Sequence, residues 1–154
     1  MKTILAPIDL SDAAEAVTAE AGALAAIIGA RVLLLHVILP PIINEYAPEA
    51  ERIADEGRGG TEEALIRLQR RLERIGVEAE SDVLNGPPVA TIVDQAVQSR
   101  ADYIVMGSHG HGALYNLLVG GTASGVIQKS PCPVVIVPTQ KAVAHATAAS
   151  QQPS

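Results

Sequence analysis

Short, nearly unbroken apolar runs alternate along the chain with longer stretches in which apolar positions recur every three or four residues. Residues 3–8, 32–37, 103–106 and 134–137 are of the first kind, the pattern of strands buried on both faces. Val17, Ala21, Leu24, Ala25 and Ile28 are of the second kind and share one helical face after Asp12, with Glu15 three residues on completing the signature of a capped helix start. Leu65, Leu68, Leu72 and Ile75 form a second stripe, and Val89, Ile92, Val93 and Ala96 a third, opened by Pro87 and Pro88. Glu63 and Arg67, four apart, read as a solvated surface pair. The pattern predicts β1 at 2–8, α1 at 12–28, β2 at 31–37, α2 at 60–75, β3 at 77–84, α3 at 87–99, β4 at 102–107, α4 at 120–129 and β5 at 133–138.

Strict alternation of strand and helix implies a parallel sheet with helices on both faces, an open doubly wound α/β fold. Residues 38–60, with Pro40, Pro41, Pro48, Gly57, Gly59 and Gly60, read as a long loop with room for a short helix. Residues 139–154, rich in Ala, Ser, Thr and Gln, read as a disordered tail after one domain spanning 1–138.

Charge then orders the strands. Glu78, Glu80 and Asp82 alternate along β3, which suits an edge guarded against pairing with another chain. With β1 central and right-handed crossovers, the predicted order is 3-2-1-4-5. The order reverses between β1 and β4, so the expected ligand crevice lies beyond Ile8 and Met106. The other edge, β5, is Val134, Val135, Ile136 and Val137 between two prolines, without a charge. Such an edge is covered or paired. The prediction is an antiparallel β5–β5 contact between two copies, closing a homodimer; a folded-back tail or a protein client on the same edge is the alternative.

Composition narrows the function. The 154 residues contain 48% hydrophobic and 18% charged side chains, enough for a packed core, but no Phe or Trp, so aromatic stacking is an unpromising way to hold a ligand. A net charge of −6 provides no general attraction to nucleic acid or to an anionic membrane. No apolar run is long enough to span a bilayer and the first nine residues lead straight into a strand pattern, so the expected location is cytoplasmic. The single cysteine, Cys132 between Pro131 and Pro133, reads as a structural loop residue.

The chemistry concentrates after β4, where Gly107, Gly110 and Gly112 are followed, with nine residues intervening after Gly110, by Gly120 and Gly121. Glycines just past a buried strand let the backbone turn its amides inward, a concavity suited to phosphate, and a helix starting near Gly120 aims its positive end at the same place. A ligand-free turn rich in glycine is the plain alternative. Neither a Walker loop nor a dinucleotide fingerprint after β1 occurs.

The segments KTILAPIDLSDAAEAV, VLLLHV, IVMGSHGHGALYNLLVGG and SPCPVVIVP, in this order as far as Pro138, resemble the universal stress protein family. The resemblance implies a Rossmann-like fold of the adenine nucleotide alpha hydrolase type and a dimer. In one branch it implies ATP binding through Gly, two residues, Gly, nine residues, Gly and then Ser or Thr. Gly107, Gly110 and Gly120 match, but the hydroxyl position is Gly121, with Thr122 one residue later. Carried over by position, Pro7, Ile8 and Asp9 stand on the adenosine side, with Asp9 an acceptor toward ribose or the adenine edge. Val37 would offer backbone groups to adenine and Met106 would pack on the base. The amides of Gly107, His109, Gly110, Gly120, Gly121 and Thr122 would face phosphate, with Mg²⁺ arriving on the phosphates. Asp9 as a plain loop or cap residue remains the alternative.

Other chemistries are weaker. His109 and His111 have no nearby carboxylate or cysteine to complete a metal set, so no metal is expected from the protein alone. His36, in an apolar run, reads as a hydrogen-bonded core residue. Ser108 and His109 are adjacent, so on an extended chain their side chains point apart, against a nucleophile–base pair. The leading function is a nucleotide-binding stress or signalling module without catalytic residues. A homodimeric scaffold of the same fold with an empty pocket is second, and a slow ATP hydrolase third.

Overall fold

The structure, a computed structural model, describes residues 1–39, 47–109 and 119–138, and for residues 47–58 the backbone alone. Its elements are β1 (Lys2–Pro7), α1 (Ala14–Ile28), β2 (Ala30–Ile38), α2 (Ala47–Arg74), β3 (Ala79–Asn85), α3 (Pro88–Gln98), β4 (Tyr103–Gly107), α4 (Gly121–Lys129) and β5 (Val134–Val137). All strand pairs are parallel, in the order β3-β2-β1-β4-β5. This is the Rossmann-like α/β arrangement that the alternating pattern predicted.

The two faces of the sheet carry separate cores, as the period-two alternation of a strand requires. Ile4 and Ala6 of β1 and Val32 and Leu34 of β2 pack with Val17, Ala21 and Ala25 of α1 and Leu65, Leu68 and Leu72 of α2. On the opposite face Leu5, Leu35, Ile104 and Met106 pack with Ile92 and Ala96 of α3 and Ala123 and Val126 of α4. With no Phe or Trp to fill the interior, helices approach closely through small residues. A Cβ at Gly22 of α1 would stand 2.7 Å from Leu72 Cδ2, and one at Gly125 of α4 would stand 2.7 Å from Val89 Cγ2 on α3.

Three local readings are corrected. The loop read over residues 38–60 is helical from Ala47 onward: Pro48 falls in the first turn, where its missing N–H costs no bond, and residues 49–58 are dominated by Glu, Ala and Arg, good helix formers. The second helix ends at Arg74, leaving Ile75 62% exposed rather than on the buried stripe, because the chain turns at Gly76 with φ +82°. Asp12 does not cap α1: the helix starts at Ala14 with Ala13 as its uncapped N-cap. The turn before it is built instead by Asp9 Oδ1, which accepts from the Ser11 amide at 3.0 Å and the Ser11 hydroxyl at 2.6 Å. Leu10 within that turn has φ +60°, a left-handed conformation uncommon for a branched side chain.

Edge strand β3 begins at Ala79, two residues later than the pattern placed it; Glu80 and Asp82 on it and Glu78 just before it are exposed, while Val77, Ala79 and Val83 are buried. On edge strand β5 Val135 is 37% exposed and Val137 buried. Glu63 and Arg67 are both exposed, and no ion pair joins them. Among the described residues no helix is long and apolar enough to cross a membrane. The tail expected at 139–154, together with Gly110 and His111, lies outside the described residues.

The amino ends of the strands are laced together by polar groups. Asp102, just before β4, accepts from the buried Thr3 amide at 2.8 Å and returns its own amide to the Thr3 carbonyl at 2.8 Å. Arg31 of β2 donates from Nε to the Thr3 hydroxyl at 3.1 Å and lies 3.9 Å from Glu80 of β3.

Candidate functional site

At the carboxyl ends the same sheet opens. The Thr3 amide and carbonyl face β4 and the Ile8 amide donates to Leu35 of β2 at 2.7 Å; since directions alternate along a strand, position 7 faces β4. Residue 7 is proline, so it has no N–H to give, and the paired positions of β1 and β4 end at Leu5 and Ile104. Sequence places the split where the strand order reverses, and a cavity of about 330 Å³ fills it.

Among the described residues six chain segments line it, the starts of α1 and α3 included. Pro7, Ile8 and Asp9 come from the end of β1, His36 and Val37 from β2, Met106 through His109 from β4, and Gly120 through Ala123 from the start of α4. The residues singled out from the sequence therefore converge on one cavity, except Gly110, which is not among those described. Met106 and Val37 supply apolar surface, Met106 from within the α3–α4 core and Val37 packed against it. Asp9 stands half-buried at the rim. It forms the Ser11 turn and lines the cavity as well, and both turn bonds fall on Oδ1.

The start of α4 is held by backbone. Ser108 donates its amide to Val137 at 3.0 Å, and Gly120 donates to the Ser108 carbonyl at 2.6 Å. A Cβ at Gly120 would sit 3.3 Å from that carbonyl oxygen and 3.5 Å from His109 Cα, a tight contact that a side chain would relieve only by moving the two backbones apart. Among the described residues no side chain caps α4, and the amides of Gly121, Thr122 and Ala123 have no acceptor within the helix. Amides and helix dipole together make this rim favourable to an anion. Gly121 and Thr122 are exposed, and a Cβ built at Gly121 meets nothing within 4 Å.

His36 is hydrogen-bonded as its setting implied, Nδ1 lying 2.6 Å from the Ile8 carbonyl, but it also lines the cavity. That role was missed, as were Ala13, Ala14 and Val17 of α1 and Pro88 and Ile92 of α3. The usable signal was register: Leu35 pairs with Pro7, which brings the next residue beside the end of β1. The argument separating Ser108 from His109 fails, because the chain turns after β4 and Ser108 Oγ lies 3.2 Å from His109 Nδ1. Ser108 is buried, 3% exposed, with that bond orienting the imidazole at the rim. Among the described residues no three His, Cys, Asp or Glu side chains cluster to hold a metal. Cys132 is partly buried against the α3–α4 core, its amide bonded to Ser130 Oγ at 3.2 Å.

The sequence profile of the universal stress protein family matches residues 1–138. A universal stress protein of Thermus aquaticus is 35% identical over 145 residues, covering 88% of this chain and 98% of its own. In fold, the chain is similar to the universal stress protein UspA of Lactobacillus plantarum, with a TM-score of 0.81, 28% identity and 88% and 97% of the two chains covered. It is also similar to a universal stress protein of Archaeoglobus fulgidus solved in complex with dAMP, with a TM-score of 0.67, 26% identity and coverage of 88% and 96%.

Proposed function

The chain belongs to the universal stress protein family, and from that membership we propose that it is a stress-response or signalling module binding an adenine nucleotide, ATP above all, in the cleft between β1 and β4. The observation that carries the reading is the meeting, in one cavity, of apolar strand ends with the uncapped amides of α4. A volume near 330 Å³ is at the lower end of small-ligand sites. Adenine lies against Val37 and Met106, ribose near Asp9, and the phosphates over Gly107, His109 and Gly120 to Thr122. The dAMP complex of the Archaeoglobus relative supports an adenine nucleotide as the class of ligand. Mg²⁺ travels on the phosphate oxygens, which suits that ion better than a protein cage.

Calorimetric titration with ATP, ADP and AMP tests this. Saturable binding of ATP is expected, and the absence of heat at millimolar nucleotide overturns it. That result would favour the second reading, a dimeric scaffold of the same fold, for which Gly121 in place of a hydroxyl residue is the specific observation.

The uncharged β5 edge supports a homodimer built by antiparallel β5–β5 pairing. Val135→Lys with Ile136→Lys should sediment as a monomer at micromolar concentration; a double variant that stays dimeric removes β5 from the interface.

A further inference from the structure

The last two turns of α2 carry Arg67, Arg70, Arg71 and Arg74, spacings of three, four and seven that put all four guanidiniums on one helix face. All four line a second concavity of about 430 Å³, walled on the other side by Leu10, Ala14 and Glu15. In a chain with 11 basic residues and a net charge of −6, this is a local excess of the opposite sign. Glu15 is the one acid lining it among the described residues, and it is committed to Arg71 at 3.0 Å. Arg67, Arg70 and Arg74 join no ion pair with a described residue.

Two simpler accounts leave part of this unexplained. A solvated helix face is expected to pair opposite charges, and Glu63 before Arg67 and Glu73 after Arg70 stand at such spacings, yet neither forms an ion pair among the described residues. Arg67 with Arg71 and Arg70 with Arg74 are instead like-charged four residues apart, which weakens a helix. Cations favour a helix C-terminus, which accounts for Arg71 and Arg74 in the last turn but not for Arg67 and Arg70 a turn earlier.

We propose that the groove between α1 and α2 is a second binding site, for a linear polyphosphate anion. Guanidinium forks match phosphate oxygens two at a time. The four cations extend over seven residues, about 10 Å of helix axis, longer than one phosphate group and suited to a short chain of them. Ala64 and Leu68 on one side and Leu10 and Ala14 on the other give the groove an aliphatic floor beneath the guanidiniums. Leu10, within the Asp9–Ser11 turn, lines this groove while Asp9 lines the cleft between β1 and β4, and Ala14 lines both. The proposal does not depend on the nucleotide reading.

Inorganic tripolyphosphate titrated into the full chain, followed residue by residue through amide chemical shifts, tests it. Saturable shifts are expected on residues 64–74 and 10–15, with affinity falling as salt rises. The triple variant Arg67→Gln, Arg70→Gln and Arg74→Gln should bind at least tenfold more weakly at these residues, with unchanged melting temperature. The corresponding Arg→Lys triple should recover part of the loss. Shifts confined to 107–109 and 120–123, or equal affinity of the Gln triple, would overturn the site. Orthophosphate binding as tightly as tripolyphosphate overturns the linear ligand, and an oligoglutamate peptide binding more tightly reassigns the groove to acidic protein segments.

Discussion

The two ends of the sheet are built from the same strands yet treat their polar groups in opposite ways. At the amino end, Thr3, Asp102, Arg31 and Glu80 tie four consecutive strands across the sheet, and the buried Thr3 amide has its acceptor within the chain. At the carboxyl end a proline withholds the donor that would continue the β1–β4 ladder, and the amides of the first turn of α4 lack an intrahelical acceptor and a side-chain cap. Groups satisfied internally contribute stability. Groups left facing a cavity are available for binding, so the two ends should respond to substitution in different observables.

Gly120→Val should have the largest effect. Its Cβ enters a space with the Ser108 carbonyl 3.3 Å away, so the branched side chain forces β4 and α4 apart. About 1–3 kcal/mol of stability should be lost to overpacking, and adenine nucleotide affinity should fall at least tenfold. Denaturant unfolding and calorimetry read the two separately; nucleotide affinity retained at full strength would detach the glycine approach from binding.

Asp102→Ala breaks the opposite end. It leaves the Thr3 amide, on a residue 5% exposed, without its acceptor, and should cost about 1–3 kcal/mol in unfolding free energy with nucleotide affinity unchanged. A matching loss of affinity would mean that the two ends are coupled.

The finest test concerns Gly121 and Thr122. Thr122→Val should weaken triphosphate binding by about 0.5–1.5 kcal/mol, the net size of one hydrogen bond. Gly121→Ser, into space open to 4 Å, should strengthen it by a similar amount. Equal affinities for both variants and the parent chain would leave backbone amides as the sole phosphate contacts.

Much of this was legible in the chain because buried strands and amphipathic helices have different periods. The acids of β3 gave away one edge of the sheet, and the reversal of order then located the crevice before any side chain was placed. The parts that were not legible depend on facts that no local pattern carries. Pro48 and the three glycines at 57–60 look like loop residues one at a time, yet a proline in a first turn is tolerated and the helical backbone runs through the glycines. His36 reaches the cavity because β1 and β2 pair with Leu35 opposite Pro7, a register set by packing across the sheet. Ser108 and His109 meet because the strand has ended. The groove of arginines escaped notice for a related reason: the helix face was visible, but Glu15 and Leu10 opposite it come from a distant stretch of chain.

The missing side chain of Gly125 acts as a gauge. Helix α3 brings Pro88 and Ile92 to one wall of the cleft at the carboxyl ends of the strands, and α4 brings Gly121, Thr122 and Ala123 to another. Val89, between the two α3 wall residues in sequence, presses its Cγ2 to within 2.7 Å of where a Cβ of Gly125 would stand. Any larger residue there acts as a shim between the helices, one turn below the rim, and a shim at that depth widens the jaw above it. The aperture offered to a ligand is thus a machined tolerance, set outside the cleft by a single absent methyl group.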